Sequence, residues 1–478
     1  MTSIKYLVSI GLETHVQLKT ESKMFCGCAN TFAADPNTNV CPICLGYPGA
    51  LPSMNRQAVK LTSLAGLMLG CKISKYSKFD RKNYFYPDAA KNYQISQLDK
   101  PLCLGGGVDI QASGGTKRIN LTRIHLEEDV AKSTHHARFS GVDFNRSGVA
   151  LMEIVSEPDM ASTEEAVAYL RALRQILVYT GVSDCNLEEG NMRSDVNVSI
   201  RPEGTTKLGT KIEIKNMNSF SHIQDALNYE IERQKRVLSS GGSLVQETRR
   251  WDPDVGETAS MRTKENAHDY RYFPEPDLLP VVLTDELLEE WRGELPELPE
   301  HKRERFVADY SLPEYDAKVL CAQLPVANFF EEAVAKGAPA KNASNWIMTD
   351  VLRLLGQSDA DITDVPLTSS AFASLLKLVE SNAINMPVAK SLLEELFEKG
   401  GDPAAMVAER GLAQVSDTGA IDGFAREAVK ANPKVVEDFK GGKKAALQFL
   451  VGQVMKMSKG KANPKMATEA IEKIISEG

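Results

Sequence analysis

The hydrophobic period of this chain changes once, and that change constrains the fold more than any motif. Up to about residue 280, apolar residues recur at alternate positions in short runs. Beyond about His301 they recur at helical spacing in Leu- and Ala-rich stretches. In the first run, Ile10, Leu12, Val16 and Leu18 share one face of an extended segment, with Gly11, Glu13, His15 and Gln17 on the other. Asp195 to Arg201 and Lys211 to Lys215 alternate in the same way. Glycine turns at 105–107 and 114–115 bound strands expected near Val108 to Ile110 and Ile119 to Leu126. Two helices interrupt the strands. One starts at Ser162, with Glu165 completing a capping box, and stops at Gly181. The other starts near Ser221 and stops at Gly241. The pattern predicts an α+β protein: an antiparallel sheet with covering helices, then an all-α helical domain, then an α-helical tail domain. Pro296, Pro299 and the acidic run from Asp285 to Glu300 mark the first boundary, and Gly400 to Pro403 the second. The expected divisions are 1–295, 296–405 and 406–478.

The 478 residues suit about three domains at roughly 150 residues each. No apolar run approaches the roughly 18 to 20 residues of a membrane span. The first residues lack the pattern of a secretory leader, so a cytoplasmic location without membrane partners is expected. The net charge of −8 argues against a uniformly basic nucleic-acid binder, yet the charge is uneven. From Gly441 onward, seven lysines (443, 444, 456, 459, 461, 465 and 473) face Glu469, Glu472 and Glu477. This segment reads either as a solvated helix face or as a contact for a phosphate backbone.

Four of the eight cysteines fall in one pattern, Cys26-Gly-Cys28, then Cys41-Pro-Ile-Cys44. Two close pairs joined by a short loop can converge on tetrahedral Zn²⁺ as four thiolates. A closed four-thiolate site leaves no open position, so its expected role is structural. Cys71, Cys103, Cys185 and Cys321 are scattered and read as fillers.

Polar faces of strands normally meet water, whatever their residues. Here three strands present Glu13 with His15, Asp195 with Asn197, and Glu213 with Lys215. Side by side they would make a platform of carboxylates, imidazole, amide and ammonium. Glu13 and His15 stand roughly 7 Å apart along one face, within reach of one hard cation such as Mg²⁺. A second acidic knot is Glu127-Glu128-Asp129. No phosphate-binding loop of either common glycine-rich type occurs, and no arrangement suggests a glutaminase. Lys456-Met-Ser-Lys459 copies a loop of class I aminoacyl-tRNA synthetases, but no accompanying His-x-Gly-His motif is present.

Several long segments resemble the GatB family, the B subunits of bacterial aspartyl/glutamyl-tRNA amidotransferases. They are Ile10 to Leu18, Phe79 to Asp88, Leu126 to His135, Asp143 to Gly148, Glu153 to Met160 and Asp269 to Asp277, and Phe449 to Pro464 resembles that family's tRNA-binding tail. The match runs the length of the chain. The resemblance implies a catalytic cradle in the first domain. It also implies an ATP-dependent carbon–nitrogen ligase with glutamine as nitrogen donor. ATP and Mg²⁺ phosphorylate the side-chain carboxylate of Glu-tRNA(Gln) or Asp-tRNA(Asn), and ammonia then displaces phosphate. By position it implies Glu13, His15 and Glu128 as Mg²⁺ ligands. Glu128 sits in phase with Ile124 and Leu126, so a strand end or bulge would have to turn it. Lys82, Tyr84 and Lys91 match positions near the ammonia path, and Arg193 and Asp195 match the segment near nucleotide and metal. The four cysteines match a zinc knuckle, and Lys443, Lys444, Lys456, Lys459, Lys461 and Lys465 fall in the tRNA-binding tail. Implied partners are a glutaminase A subunit and a small C subunit in a heterotrimer, with misacylated tRNA as substrate. Competing readings are a non-catalytic tRNA-binding scaffold and a stand-alone metal-dependent kinase of a small molecule.

Overall fold

The computed structural model describes residues 4–217, 219–263, 267–358, 360–414, 418–458 and 462–477. The chain divides into two compact units, Met1–Leu298 and Pro299–Gly478. The first is built on a ten-stranded sheet. Its central strands, in spatial order, are Ile212–Lys215, Met192–Pro202, Tyr6–Gln17, Ala150–Ser156 and Gly115–Glu128. Neighbours in this central set pair antiparallel. One pair departs from the antiparallel expectation: Glu247–Asp252 lies parallel to Ile212–Lys215. The helix Phe220–Ser239 between them is the crossover that a parallel pair requires.

The period-two pattern sorts the sheet into a dry face and a polar face. Ile10, Leu12, Val16, Ile154, Ile124, Leu126, Val196 and Val198 are buried in one apolar core with Leu170, Leu173, Leu177, Ile223 and Leu227 of the covering helices. Each such side chain contributes about 1.5–3 kcal/mol of burial. The helix Thr163–Tyr179 starts where expected, with Ser162 Oγ accepting from the Glu165 amide. The Glu165 carboxylate accepts from the Ala161 amide, one residue before the cap. The second helix starts earlier than expected, because Ser219 and not Ser221 caps it, accepting from the His222 amide. Both helices end before a glycine with positive φ, Gly181 and Gly241.

The second unit is helical and holds two separate apolar cores. Phe306, Phe330, Trp346, Phe372 and Leu396 belong to one, and Ile421, Ala425, Leu450, Val454 and Ile471 to the other. No helix among the described residues is long and apolar enough to cross a membrane.

Candidate functional site

Antiparallel register lines up a row of charged groups across four strands. Arg193 lies opposite His15, His15 opposite Glu153, and Glu153 opposite His125. Directly opposed residues project to the same face, about 4.5–5.5 Å apart at Cβ. Glu127, two residues beyond His125, shares that face. His15 Nε2 stands 3.4 Å from Glu153 Oε2 and 3.7 Å from Glu127 Oε1. One donor atom each from His15, Glu127 and Glu153 lie within 4.8 Å of one another.

The electrostatics keep the carboxylates ionised in a dry place. Burial alone would raise the pKa of Glu127, yet His125, Lys82 and His15 hold it below the usual range. Burial likewise opposes ionisation of Glu153, and His125, His15 and Lys82 hold it well below the usual range. Burial would lower the His15 pKa, but Glu153 and Glu127 outweigh this and raise it. His15 Nδ1 is buried with no partner among the described residues. One imidazole and two carboxylates form a donor set that suits a divalent cation with open positions, so the residues present fit Mg²⁺.

The residues expected to form this site are only partly brought together. His15 is in the cluster, whereas Glu13 and Glu128 are not. Glu13 accepts from Asn197 Nδ2 at 2.9 Å, on the same face but one row away. Glu128 stays in phase with Ile124 and Leu126, as strict alternation demands, and no bulge turns it. Its carboxylate accepts from the Ile95 amide at 2.9 Å and pairs with Lys91 at 2.6 Å. Glu127 and Glu153 stand where Glu13 and Glu128 were expected. Their signal was present in the sequence: Glu153 is a lone carboxylate in the apolar run Ala150–Ser156, and Glu127 is the glutamate of the acidic knot in phase with the polar face.

Lys82 lies beside the cluster, its ammonium 5.0 Å from the Tyr270 ring centre. Burial would lower its pKa, but Glu127, Tyr272, Glu153 and Tyr270 raise it, so it stays charged. Tyr84 packs edge-on to Tyr270, and burial pushes its hydroxyl up. Lys91 faces elsewhere. With Glu128 and Tyr93 it lines a cavity of about 80 Å³ walled on the other side by Cys26, Cys44 and Gly148. That is far below the roughly 300–1,000 Å³ of a drug-sized ligand pocket. Asp195 pairs with Lys215.

Arg193 is committed to a buried partner. Its Nη1 and Nη2 donate to Asp129 at 3.0 and 2.8 Å, and Gln17 adds a third hydrogen bond at 3.1 Å. Burial opposes ionisation of Asp129, but the Arg193 and Arg146 charges and these hydrogen bonds hold its carboxyl well below the usual range. Asp129→Asn should therefore destabilise the fold by about 3 kcal/mol at pH 7, the low end of the 3–5 for a broken buried pair, because Arg193 is 36% exposed. A depressed folded pKa gives stability that is fully present above the unfolded carboxyl value near 3.9 and lost as pH falls through the folded one. Urea melts should show the wild type losing this contribution below about pH 4 and the variant lacking it throughout.

Cys26, Cys28, Cys41 and Cys44 do come together, with sulfurs within 4.8 Å of one another. The Cys41 amide donates to Cys44 Sγ at 3.2 Å. A hydrogen bond from Cys26 pulls the Cys44 thiol down to about 4, against the opposing effect of burial, with further help from the Cys41 amide and the Lys23 charge. Lys23 is fully buried, and its ammonium donates to Cys44 Sγ at 3.7 Å and to the Phe144 carbonyl at 3.3 Å. A cation buried against sulfur fits an anionic thiolate set, so the four cysteines can hold a metal such as zinc.

In the tail, Lys443, Lys444, Lys456 and Lys465 are exposed, while Lys459 and Lys461 lie outside the described residues. Lys443 pairs with Asp438.

A model of the GatB/GatE catalytic domain matches residues 8–289, and a model of a GatB domain matches residues 328–475. The chain belongs to the GatB/GatE family. A relative from Caldanaerobacter subterraneus subsp. tengcongensis, the B subunit of an aspartyl/glutamyl-tRNA(Asn/Gln) amidotransferase, is 53% identical over 475 residues, covering 99% of this chain and all of the relative. B subunits of the same name from Thermoanaerobacter sp. and Geobacter sulfurreducens are 51% and 50% identical, over 99% and 98% of this chain and 100% and 99% of their own lengths. The GatB/GatE catalytic-domain match spans every residue of the His15–Glu127–Glu153 cluster and the cysteine set.

Proposed function

We propose that this chain is the subunit of a tRNA-dependent amidotransferase that activates and amidates the charged amino acid. The observation that carries the reading is the meeting of His15, Glu127 and Glu153 on one polar sheet face, with the Lys82 charge of the separate strand Asp80–Asn83 beside them, in a chain similar over its length to amidotransferase B subunits. A carboxylate is a poor electrophile until one oxygen becomes a leaving group. The side-chain carboxylate of Glu-tRNA(Gln) or Asp-tRNA(Asn) attacks the γ-phosphorus of ATP, and ADP leaves. Ammonia then attacks the acyl carbon, and inorganic phosphate leaves. Such transfer depends on positioning and charge neutralisation more than on a protein nucleophile. His15, Glu127 and Glu153 would hold Mg²⁺, which supplies charge neutralisation to phosphate oxygens. Lys82 adds a fixed positive charge beside it. Arg193, Asp195 and Glu13 border the cluster and face the nucleotide side, with Arg193 also serving the fold through Asp129. Tyr84, Lys91 and Glu128 belong to the ammonia side, where the small cavity admits ammonia but not a nucleotide.

Nothing in this chain reads as a glutaminase, so a partner A subunit supplies ammonia from glutamine, and a small C subunit completes a heterotrimer. The overall reaction is that of a carbon–nitrogen ligase in the cytoplasm. The divisions 1–295, 296–405 and 406–478 serve as catalytic cradle, helical domain and tRNA-binding tail. A scaffold without chemistry has no use for ionised carboxylates gathered in a dry site. Zinc is structural: Cys41→Ser should release one equivalent of metal, measured by atomic emission, and leave the rate per folded molecule within a few-fold. Wild-type protein free of zinc after metal-replete expression is the contrary result.

The test is reconstitution with A and C partners, Glu-tRNA(Gln) or Asp-tRNA(Asn), glutamine and ATP. Hydroxylamine should trap an acyl phosphate as the hydroxamate, only with ATP present. Amide formation without ATP would overturn the reading.

A further inference from the structure

His125 is absent from the three-residue cluster but adjoins it. Its side chain is 5% exposed, and its Nε2 stands 3.5 Å from Glu153 Oε2 and 3.8 Å from Glu127 Oε2. His15 and His125 therefore flank the same two carboxylates from opposite sides. Two imidazoles around two carboxylates suggest either a cation site with a second nitrogen ligand, or one ligand and one holder. The surroundings of the two rings distinguish these.

Arg123 Nε donates to His125 Nδ1 at 3.4 Å. A guanidinium has no acceptor, so Nδ1 must be the lone-pair nitrogen and the ring hydrogen sits on Nε2. The hydrogen on Nε2 then points toward Glu127 and Glu153, and the nitrogen has no lone pair to offer a cation. His15 differs: without a cation its Nε2 faces Glu153, but its Nδ1 makes no hydrogen bond among the described residues. The ring hydrogen can therefore sit on Nδ1, which leaves the Nε2 lone pair for a cation.

The two oxygens of Glu127 divide accordingly, while Glu153 turns one oxygen, Oε2, toward both rings. Glu127 Oε2 accepts from Ser96 Oγ at 3.1 Å and faces His125, whereas Oε1 faces His15. Ser96 and His125 thus hold one oxygen of Glu127 and leave the other for the cation side. Arg123 and His125 are two residues apart on one strand, so strand geometry alone stacks donor behind ring.

We infer that His125, with its tautomer set by Arg123, is a positioning residue that fixes the Glu127 and Glu153 carboxylates for a divalent cation without ligating it. The inference rests on the proposal that His15, Glu127 and Glu153 hold such a cation.

The test uses the full-length chain and Mn²⁺ alone, with affinity from titration calorimetry and ligand type from pulsed electron paramagnetic resonance. Wild type should show coupling to one histidine nitrogen, and that coupling should vanish in His15→Ala. His125→Ala should weaken Mn²⁺ binding by about 10–100-fold, the usual range for a lost outer partner. His125→Gln keeps an N–H donor in place and should recover affinity to within a few-fold, still with one coupled nitrogen. Arg123→Met should weaken binding by a smaller factor, because the tautomer is no longer enforced. Wild type showing two coupled nitrogens, or His125→Ala binding Mn²⁺ as tightly as wild type, would overturn the role given to His125 alone. If His125→Ala does not fold, His125→Gln decides: affinity lost by tenfold or more, with one nitrogen still coupled, counts against a donor role. Wild type that binds no Mn²⁺ would remove the cation site itself and this inference with it.

Discussion

Glu153→Gln should lower ATP-dependent amide formation per folded molecule by on the order of 10³-fold, while tRNA affinity stays near wild type. The change is nearly isosteric and removes one negative charge from a group surrounded by His15, His125 and Lys82. Positive charge that was balanced then faces a neutral amide, and the cation loses a ligand. Glu127→Gln should act similarly. The informative contrast is Glu128→Gln. Its carboxylate faces Lys91 and the Ile95 amide, so its loss should leave Mn²⁺ affinity within about twofold and should instead alter the use of ammonia. Measuring hydroxamate formation and amide formation separately divides the two effects. Glu153→Gln retaining activity within twofold, or Glu128→Gln abolishing Mn²⁺ binding, would reverse the roles of these carboxylates.

The second large effect concerns the tail. Replacing Lys444, Lys456, Lys465 and Lys473 together by Gln should weaken tRNA binding and flatten its salt dependence. Each phosphate contact contributes a slope of about 0.9 in log K against log salt on duplex, so four contacts remove about 3.6. Between 50 and 200 mM salt, a slope of that size is worth about 10²-fold in affinity. Substitution is a better probe than truncation. Leu450, Val454 and Ile471 are buried with Ile421 and Ala425, so removing the last two helices would strip the core that they share. An unchanged slope in the fourfold variant would reassign those lysines to a solvated helix face.

The architecture was legible because alternation and helical spacing survive intact. The glycine stops at 181 and 241 were readable from chemistry that only a positive φ explains. The first helix cap was readable too, and the second was misplaced by two residues because Ser219 and Ser221 are equally good caps in isolation. The cysteine set was legible because close pairs in sequence must also be close in space. The acidic cluster was readable only in part. His15 was found because it lies on a strand with a clear polar face. Glu153 was missed because its partners come from register, which sets it between His15, more than a hundred positions away, and His125 on a neighbouring strand. Glu128 was drawn in by position in a familiar segment, although the alternation of its own strand already spoke against it. His125 and Arg123 carry no local signature, since tautomer control is a property of neighbours.

Glu127 and Glu128 are adjacent in the chain, yet one faces the buried polar cluster on the sheet and the other the cavity beside the thiolates. On the proposed function, a single peptide unit therefore separates the compartment of acid activation from the compartment through which nitrogen would enter. Inserting or deleting one residue in that stretch would rotate every following side chain by half a turn and exchange the two carboxylates. The spacing of this strand is thus under a tighter constraint than its composition, and length variation should be tolerated far less here than replacement of any single apolar neighbour.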